Sequence, residues 1–470
     1  MQKQHKQFQD QGRHTAAYIR AQKDKLMQSV RDSHADLALD SFYKDMSALC
    51  SRPESCINHM HLNAIIGATA KAWRTAWARS AWQKRKQTHH QMHVFLTEML
   101  QRLQPSLPDV AERQAANIFW SSAQLGLKPD ALVPGMTDSL SRRFMVDMDV
   151  ATGQGFANVL VACAKLQLSP CHGDLVQAIL HRLATTDLSN FEAQHVANAL
   201  HSLATIPAAS PSVEVLDALC QRFGVLLSDR QAVKLPDAQN IANTMWGLSK
   251  LKHSPSDELA MSTMGRTVAL CCMPGQQPTP QNISNLLLAC AELRVPVKQA
   301  DTDSLASFLL SSNGWQATQQ AYANTAWSLA VTGHLRQAQF TLLLDQMLAL
   351  SSTPGDMSAT PSLTIVELNQ LYQALDWLQP HPTAPAREQS AWSSLQGKSQ
   401  RLGLRPAPNK PEAPLLGIHK LCTALEQLQL SFRAKVLIQS YWVDAVLQSQ
   451  DNKAQSVIVR LFSPDYITNM

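Results

Sequence analysis

The chain has 470 residues, 45% of them hydrophobic and 16% charged, so it can bury a sizeable core and is not disordered as a whole. It contains only 17 glycines and lacks the GxGxxG, GxxxxGK[ST], HExxH and GxSxG motifs of common nucleotide-binding and hydrolytic enzymes. The net charge is +5, but residues 1–104 hold 16 basic and 8 acidic side chains, so a polyanionic partner should contact that end first.

The pattern of residues 1–56 predicts amphipathic helices that form an N-terminal cap or docking arm. Asp10, Asp24 and Asp32 interrupt the basic residues of this segment, which is not typical of an organelle-targeting peptide. We therefore expect that a targeting peptide is absent or has been removed. No apolar run approaches the roughly 18 residues of a membrane span, so no membrane partner is expected. The nine cysteines form no CxxC motif, and Cys163 and Cys290 fall in apolar helical patterns, which indicates core residues and a reducing compartment.

The segment 71–93 is the first candidate binding region. It combines Trp73, Trp77 and Trp82 with a run of cations, and no acidic residue occurs between Asn63 and Thr97. Cations neutralise phosphates and tryptophan stacks on unpaired bases, so this composition predicts RNA contact. The alternative is a solvated helical face whose tryptophans lie in the core. The residues predicted to contact RNA here are Lys71, Arg74, Trp77, Arg79, Lys84, Arg85 and Lys86.

Cysteine and histidine residues near this segment do not have the spacing of a four-ligand metal site, so no metal is expected. The residues concerned are Cys56, His59, His61, His89, His90 and His93.

A repeat of about 40 residues runs through the middle of the chain. Each copy centres on an asparagine in an A-N-x-x-W-x-L-like core, and a second apolar helical stretch follows after a turn. The shared asparagines are Asn117, Asn158, Asn198, Asn243, Asn285 and Asn324, with a further copy at Asn369 and a degenerate one at Asn63. A helix pair cannot bury its apolar faces alone, so residues 57–381 are predicted to stack as an α-solenoid of about seven to eight repeats.

The first helix of each repeat is apolar over most of its circumference. The third residue after the asparagine is often aromatic, and a narrow polar stripe contains the asparagine and the fourth and seventh residues after it. The seventh position includes Lys165 and Lys250, which we predict to contact RNA. The asparagines either hydrogen-bond bases along a groove or form a structural ladder between repeats, and we favour the ladder.

These repeats resemble the octotricopeptide-type repeats of organellar RNA-binding proteins, which are similar to those of FAST-kinase-like and RAP-domain proteins. The resemblance covers 57–381 and, more weakly, 415–470. It implies an all-α fold with a small α/β remnant at the C-terminus, RNA as the ligand, and a mitochondrial location, with the chloroplast as the alternative.

The C-terminal part is expected to contain a Pro-rich linker over 382–415, followed over 416–470 by a helix and degenerate RAP-like strands. Tyr441–Leu447 resembles the opening strand of a RAP domain, and 457–464 resembles the next strand. Asp444 has no Glu-x-Lys partner on that strand, so nuclease chemistry is not expected.

The sequence thus predicts a non-enzymatic RNA-binding protein without cofactor or small-molecule substrate. Ribosomal RNA of an organellar ribosome is the favoured ligand, with ribosomal or other ribonucleoprotein proteins as further partners. The alternatives are a factor for the stability, processing or translation of one organellar messenger RNA, and a protein–protein scaffold that binds no RNA.

Overall fold

The computed structural model describes most of the chain up to residue 378 and short segments beyond it. The described residues are 2–31, 35–52, 56–77, 82–168, 173–207, 209–229, 235–311, 317–351, 363–378, 393, 395, 397–399, 432–438, 441–447 and 457–459. They belong to two compact units, Met1–Pro278 and Thr279–Met470.

The first unit is built from helices. They are α1 (Gln2–Arg31), α2 (Ala35–Cys50), α3 (His59–Trp77), α4 (Trp82–Leu103), α5 (Glu112–Leu125), α6 (Pro129–Leu132), α7 (Met136–Val146), α8 (Gly153–Leu166), α9 (Gly173–Thr185), α10 (Ala193–Thr205), α11 (Val213–Ser228), α12 (Ala238–Lys250) and α13 (Asp257–Cys271).

These helices form two layers. In layer A, α3, α5, α8, α10 and α12 pack side by side in chain order, and each contains the repeat asparagine. In layer B, α7, α9, α11 and α13 pack in the same order, and α4 precedes them beside α6. The N-terminal helices extend the arrangement, since α1 packs on α3 and α2 packs on α4. The predicted stacking of helix pairs at a period near 40 residues is therefore confirmed for this unit.

The second unit repeats this arrangement over a shorter stretch. Its helices are α14 (Pro280–Leu293), α15 (Gln299–Ser311), α16 (Gln319–Val331), α17 (Gln337–Ser351) and α18 (Ile365–Trp377). Here α14, α16 and α18 pack side by side as layer A, and α15 packs on α17 as layer B.

A three-stranded antiparallel sheet follows in the same unit: β1 (Phe432–Ile438), β2 (Tyr441–Leu447) and β3 (Val457–Val459). Ala445 of β2 pairs with Ala434 of β1 and with Val459 of β3. The strand β1 was not anticipated, so the segment from Tyr441 lies in the middle of the sheet instead of opening it. The alternation of Phe432, Arg433, Ala434 and Lys435 explains this additional strand, because a period of two suits a half-covered sheet. That the sheet is related to a RAP domain stays a prediction. The predicted Pro-rich linker over 382–415 lies almost entirely outside the described residues.

The boundaries of the layer A helices follow from local sequence. Several begin at a residue whose side chain accepts a hydrogen bond from a backbone N–H of the first turn, which stabilises a helix start by about 1 kcal/mol. These N-cap residues are Thr152, Asp237, Thr279 and Thr318. The helix α5 ends at Gly126, which adopts the left-handed conformation with φ 69° that glycine tolerates best.

Small residues let neighbouring layer A helices approach closely at the fourth position after the asparagine. All of these residues are buried, which corrects their assignment to the polar stripe: Ser121, Ala162, Ser202, Gly247, Ala289 and Ser328. At Gly247 the approach is closest, because a Cβ atom there would lie 2.8 Å from the backbone carbonyl carbon of Leu200. The backbones of α10 and α12 are therefore in direct contact at this point.

Candidate nucleic-acid interface

Charge is distributed unequally between the two layers of the first unit. The five layer A helices α3 to α12 contain a single acidic residue, Glu112, in the first turn of α5. Their basic residues are Lys71, Arg74, Arg113, Lys165 and Lys250. The acidic side chains of the neighbouring layer B helices α7, α9, α11 and α13 are Asp138, Asp174, Glu214, Asp217, Asp257 and Glu258. The layer A side of this unit is thus poor in carboxylates and carries excess positive charge.

Two cations of this surface influence each other electrostatically. Arg74 at the end of α3 and Lys165 at the end of α8 both reach solvent. Partial burial lowers the pKa of the Lys165 ammonium, and the nearby positive charge of Arg74 lowers it further. Neither side chain forms an ion pair with a carboxylate in the described part of the chain. Because like charges repel, this arrangement favours a bound anion.

An aromatic pair continues the surface from α8 towards α12. The rings of His201 on α10 and Trp246 on α12 are stacked, with centroids 4.6 Å apart and an interplanar angle of 27°. The Lys250 Nζ atom lies 6.0 Å from the centroid of the Trp246 ring. Burial lowers the pKa of His201, and the charge of Lys165 contributes in the same direction. We call Arg74, Lys165, His201, Trp246 and Lys250 the basic strip.

The basic strip contains three of the predicted RNA-binding residues, Arg74, Lys165 and Lys250. Lys71 is exposed on α3, one turn before Arg74. Trp77 lies at the end of α3, and Lys84, Arg85 and Lys86 lie in the first turn of α4, but their side chains are outside the described part of the structure. Arg79 falls outside the described residues altogether. Trp73, which the sequence placed among the cations, is 5% exposed and packs edge-on against His89 with ring centroids 5.9 Å apart, so it belongs to the core.

The repeat asparagines have three different environments. Asn158 Nδ2 donates a 3.5 Å hydrogen bond to Asn117 Oδ1, and Gln370 Nε2 donates a 2.9 Å bond to the buried Asn324 Oδ1. Asn285 Oδ1 accepts a 2.7 Å bond from Gln281 of its own helix. Asn198 and Asn243 are partly buried and make no side-chain hydrogen bond with another described residue. Hydrogen bonds between neighbouring layer A helices therefore occur near both ends of the asparagine series. The side-chain amides of Asn198 and Asn243, beside the basic strip, are left for solvent or a ligand.

A second periodic set of cations was not singled out from the sequence. In the second half of α4 and of the layer B helices α7, α9, α11 and α13, an arginine donates to a backbone carbonyl oxygen at an earlier point of the chain. The pairs are Arg102 with Cys50 (3.0 Å), Arg143 with Val110, Arg182 with Asp149 (3.2 Å), Arg222 with Phe191 (2.8 Å) and Arg266 with Pro236 (3.5 Å). Arg143 and Arg182 are also ion-paired, with Asp147 and Asp149. These arginines satisfy protein acceptors, so we assign them a structural role.

Two cysteines of the layer A helices are core residues. Cys163 and Cys290 are buried, and burial raises the pKa of each thiol to about 12. Such thiols stay protonated at neutral pH and pack as small apolar side chains, as the sequence predicted. No cluster of three or more His, Cys, Asp and Glu side chains suited to a metal ion occurs among the described residues. None of the described helices combines the length and the apolar character needed to cross a membrane.

Comparison with protein-family models and with curated proteins gives no match for this chain.

Proposed function

We propose that the protein binds RNA and that the basic strip of the first unit contacts the RNA backbone. The single observation that carries the proposal is the charge of layer A in this unit, whose five helices hold five basic residues and one acidic residue. Two of these cations, Arg74 and Lys165, form no ion pair with a described carboxylate, and the charge of Arg74 lowers the pKa of Lys165. Two unneutralised cations cost electrostatic free energy unless an anion compensates them, and a polyphosphate chain compensates several at once.

The structural arginines of layer B support this reading by contrast. Each of them satisfies a carbonyl oxygen within the protein, as Arg222 does with Phe191. Lys165 and Arg74 have no such acceptor among the described residues, although they too are cationic side chains. In the described part of the chain, the layer B arginines therefore serve the stability of the protein, whereas Arg74 and Lys165 are available to an external partner.

The resemblance to octotricopeptide-type repeats supports a more specific proposal. In it, the protein acts without catalysis in an organelle, most simply the mitochondrion, and stabilises ribosomal RNA as a subunit or associated protein of the organellar ribosome. A strip of few cations suits a partner that is held in place by a large assembly and by neighbouring ribonucleoprotein proteins, since few phosphate contacts give only moderate affinity.

The binding proposal is tested with the purified full chain and a fluorescein-labelled RNA of about 20 nucleotides, followed by fluorescence anisotropy at several salt concentrations. Arg74→Glu and Lys165→Glu should each weaken binding, and each lost phosphate contact should reduce the slope of log K against log salt by about 0.7. The control is Arg142→Glu, the same charge reversal at an exposed position of α7 in layer B. Equal effects of the three variants, or no RNA binding by the unaltered chain, would contradict the proposal.

The identity of the RNA is tested by crosslinking in the organelle and sequencing of the bound RNA. Enrichment of ribosomal RNA supports the ribosomal role. Enrichment of one transcript supports the messenger-RNA factor instead, and the absence of crosslinked RNA supports the scaffold.

A further inference from the structure

We infer that the His201–Trp246 pair is a stacking site for an unpaired RNA base, so that the RNA is single-stranded where it crosses α10 and α12. This inference rests on the proposed RNA-binding function and specifies the class of RNA. It concerns residues that the sequence patterns did not mark as ligand contacts.

The geometry of the pair provides a fixed aromatic platform. The two rings come from different helices, stack with centroids 4.6 Å apart, and are each only partly buried. Their relative position is set by the backbone contact at Gly247, directly after Trp246, where α12 touches Leu200 directly before His201. A platform whose rings are held by two packed backbones loses little conformational freedom when a base stacks on it.

The polar atoms of the pair lack hydrogen-bond partners among the residues that the structure describes. Neither the Trp246 indole N–H nor the His201 ring nitrogens form a hydrogen bond with another described residue. Comparable residues elsewhere are satisfied: Trp327 Nε1 donates a 2.7 Å bond to Gln373 Oε1, and His195 Nδ1 accepts a 3.1 Å bond from the backbone N–H of Glu192. Buried and partly buried polar groups are usually paired, so an unpaired indole N–H and imidazole side by side indicate a place for an external partner.

The surroundings supply the other contacts that a nucleotide needs. Asn198 lies one turn before His201 and Asn243 lies one turn before Trp246, so each amide is on the same helix face as its ring. Amide groups can donate to and accept from the edge of a base. The charge of Lys165 lowers the pKa of the His201 imidazole, so a cation that can attract a phosphate belongs to the surroundings of the ring pair.

These contacts select an unpaired nucleotide. In an RNA duplex both faces of each base are covered by neighbouring bases, and protein side chains reach mainly the phosphates and the 2′-hydroxyls. A base that stacks on an outer face of this ring pair has to be unstacked from its own strand, as in a loop, a bulge or a single strand. The basic strip without the ring pair would bind single strands and duplexes alike through charge.

The experiment compares single-stranded and duplex RNA of equal length in the anisotropy assay with the full chain. Trp246→Leu should weaken binding of the single strand by about fivefold or more, the usual effect of losing one base–aromatic stack, and leave duplex binding unchanged. Trp246→Phe keeps an aromatic ring and should retain most of the affinity. The matched control is Trp120→Leu, the equivalent position of α5, because Trp120 stacks on no other described ring.

The salt dependence separates this inference from the proposed function. Trp246→Leu removes no charge, so its slope of log K against log salt should equal that of the unaltered chain, whereas Lys165→Glu reduces the slope. If Trp246→Leu does not fold, as judged by circular dichroism, His201→Leu is used in its place. The same loss of affinity for single-stranded RNA is expected.

Equal binding of single-stranded and duplex RNA by the unaltered chain would overturn the inference and leave RNA binding intact. The same conclusion would follow if Trp246→Leu and Trp120→Leu weakened binding equally. A chain that binds neither RNA would overturn both proposals.

Discussion

Arg222 Nε donates a 2.8 Å hydrogen bond to the backbone carbonyl oxygen of Phe191, which lies 31 residues earlier in the chain. The bond joins the second helix of one repeat to the segment that leads into its first helix. It is one of four such bonds among the described residues of the first unit, and it holds the two helices of a pair together by a polar contact in addition to their apolar packing.

Replacing this arginine should destabilise the protein. Arg222→Met keeps most of the aliphatic stem but leaves the Phe191 carbonyl without its charged donor, which typically costs about 1–3 kcal/mol. The free energy of unfolding, measured by urea denaturation, should fall accordingly. Arg113→Met is the control, because Arg113 is exposed on α5 and has no partner among the described residues, and it should change the stability by less than about 0.5 kcal/mol. Similar losses in both variants would contradict the structural role of Arg222.

Enlarging Gly247 should also be destabilising. A Cβ atom would meet the backbone of Leu200 at 2.8 Å, and backbone atoms cannot move aside as a flexible side chain can. We expect Gly247→Ala to lower the unfolding free energy by about 1–3 kcal/mol, as overpacking of a core does. Gly265→Ala on α13 is the matched change, since nothing lies within 4 Å of its Cβ position, and alanine at this exposed position should stabilise the helix by roughly 0.5–1 kcal/mol. A neutral Gly247→Ala would show that the two helices are not in backbone contact.

The cations at the start of α4 give a third prediction. Replacing Lys84, Arg85 and Lys86 together by Glu should weaken RNA binding and reduce the salt slope by roughly 2 for a single strand, if all three contact phosphates. Circular dichroism should be unchanged. Salt-dependent anisotropy is the measurement, and an unaltered slope would restrict the RNA contact to the basic strip.

Mild acid should weaken the fold. Burial lowers the pKa values of His61, His195 and His201, so these residues bind protons more readily in the unfolded chain than in the folded one. The contribution of these histidines to the free energy of unfolding is therefore fully present above the unfolded-state pKa of about 6.5, and it is lost as the pH falls below that value. Urea denaturation at about pH 7.5 and about pH 5.5 should show a lower unfolding free energy at the acidic pH, in a window above the titration of most carboxylates.

The variant His195→Gln isolates one of these groups. Glutamine can accept the hydrogen bond from the Glu192 N–H that His195 Nδ1 accepts, but it does not titrate. The pH dependence of stability should become smaller in this variant. A stability that increased on acidification, or an unchanged pH dependence in the variant, would contradict the assignment.

The layered arrangement was predictable because it depends on apolar periodicity. The asparagine spacing located the layer A helices, and apolar residues such as Leu160 and Leu200 recur two positions after Asn158 and Asn198 and are fully buried. The spacing also placed Lys165 and Lys250 on the surface. The fourth position after the asparagine was wrongly assigned to the polar stripe, because a helical wheel gives the direction of a side chain but not the distance between two helix backbones. Gly247 is the residue whose lack of a side chain indicates the close approach.

The candidate site was predictable in part. His201 occupies the position that is aromatic in other repeats, so its imidazole ring is a signal in the sequence that another ring could stack there. The arginine series from Arg102 to Arg266 also has the repeat period. Its role could not be inferred, because a side chain that reaches a backbone carbonyl 30 or more residues away leaves no pattern at the carbonyl position. Trp73 is an error in the other direction. Its position among cations indicated a residue that contacts RNA, but its side chain is buried in the core.

The arginine-to-carbonyl bonds have a consequence for how the length of the chain can vary. In four successive repeats the arginine and its acceptor are 33, 33, 31 and 30 residues apart. The interval from Asn198 to Asn243 is 45 residues, and its additional residues lie after Arg222, between α11 and α12. An insertion after such an arginine would leave the bond intact. An insertion between the acceptor residue and the arginine would move the donor away from its acceptor. Whole repeats could thus be gained, lost or spaced apart at these junctions without dismantling the pairs on either side.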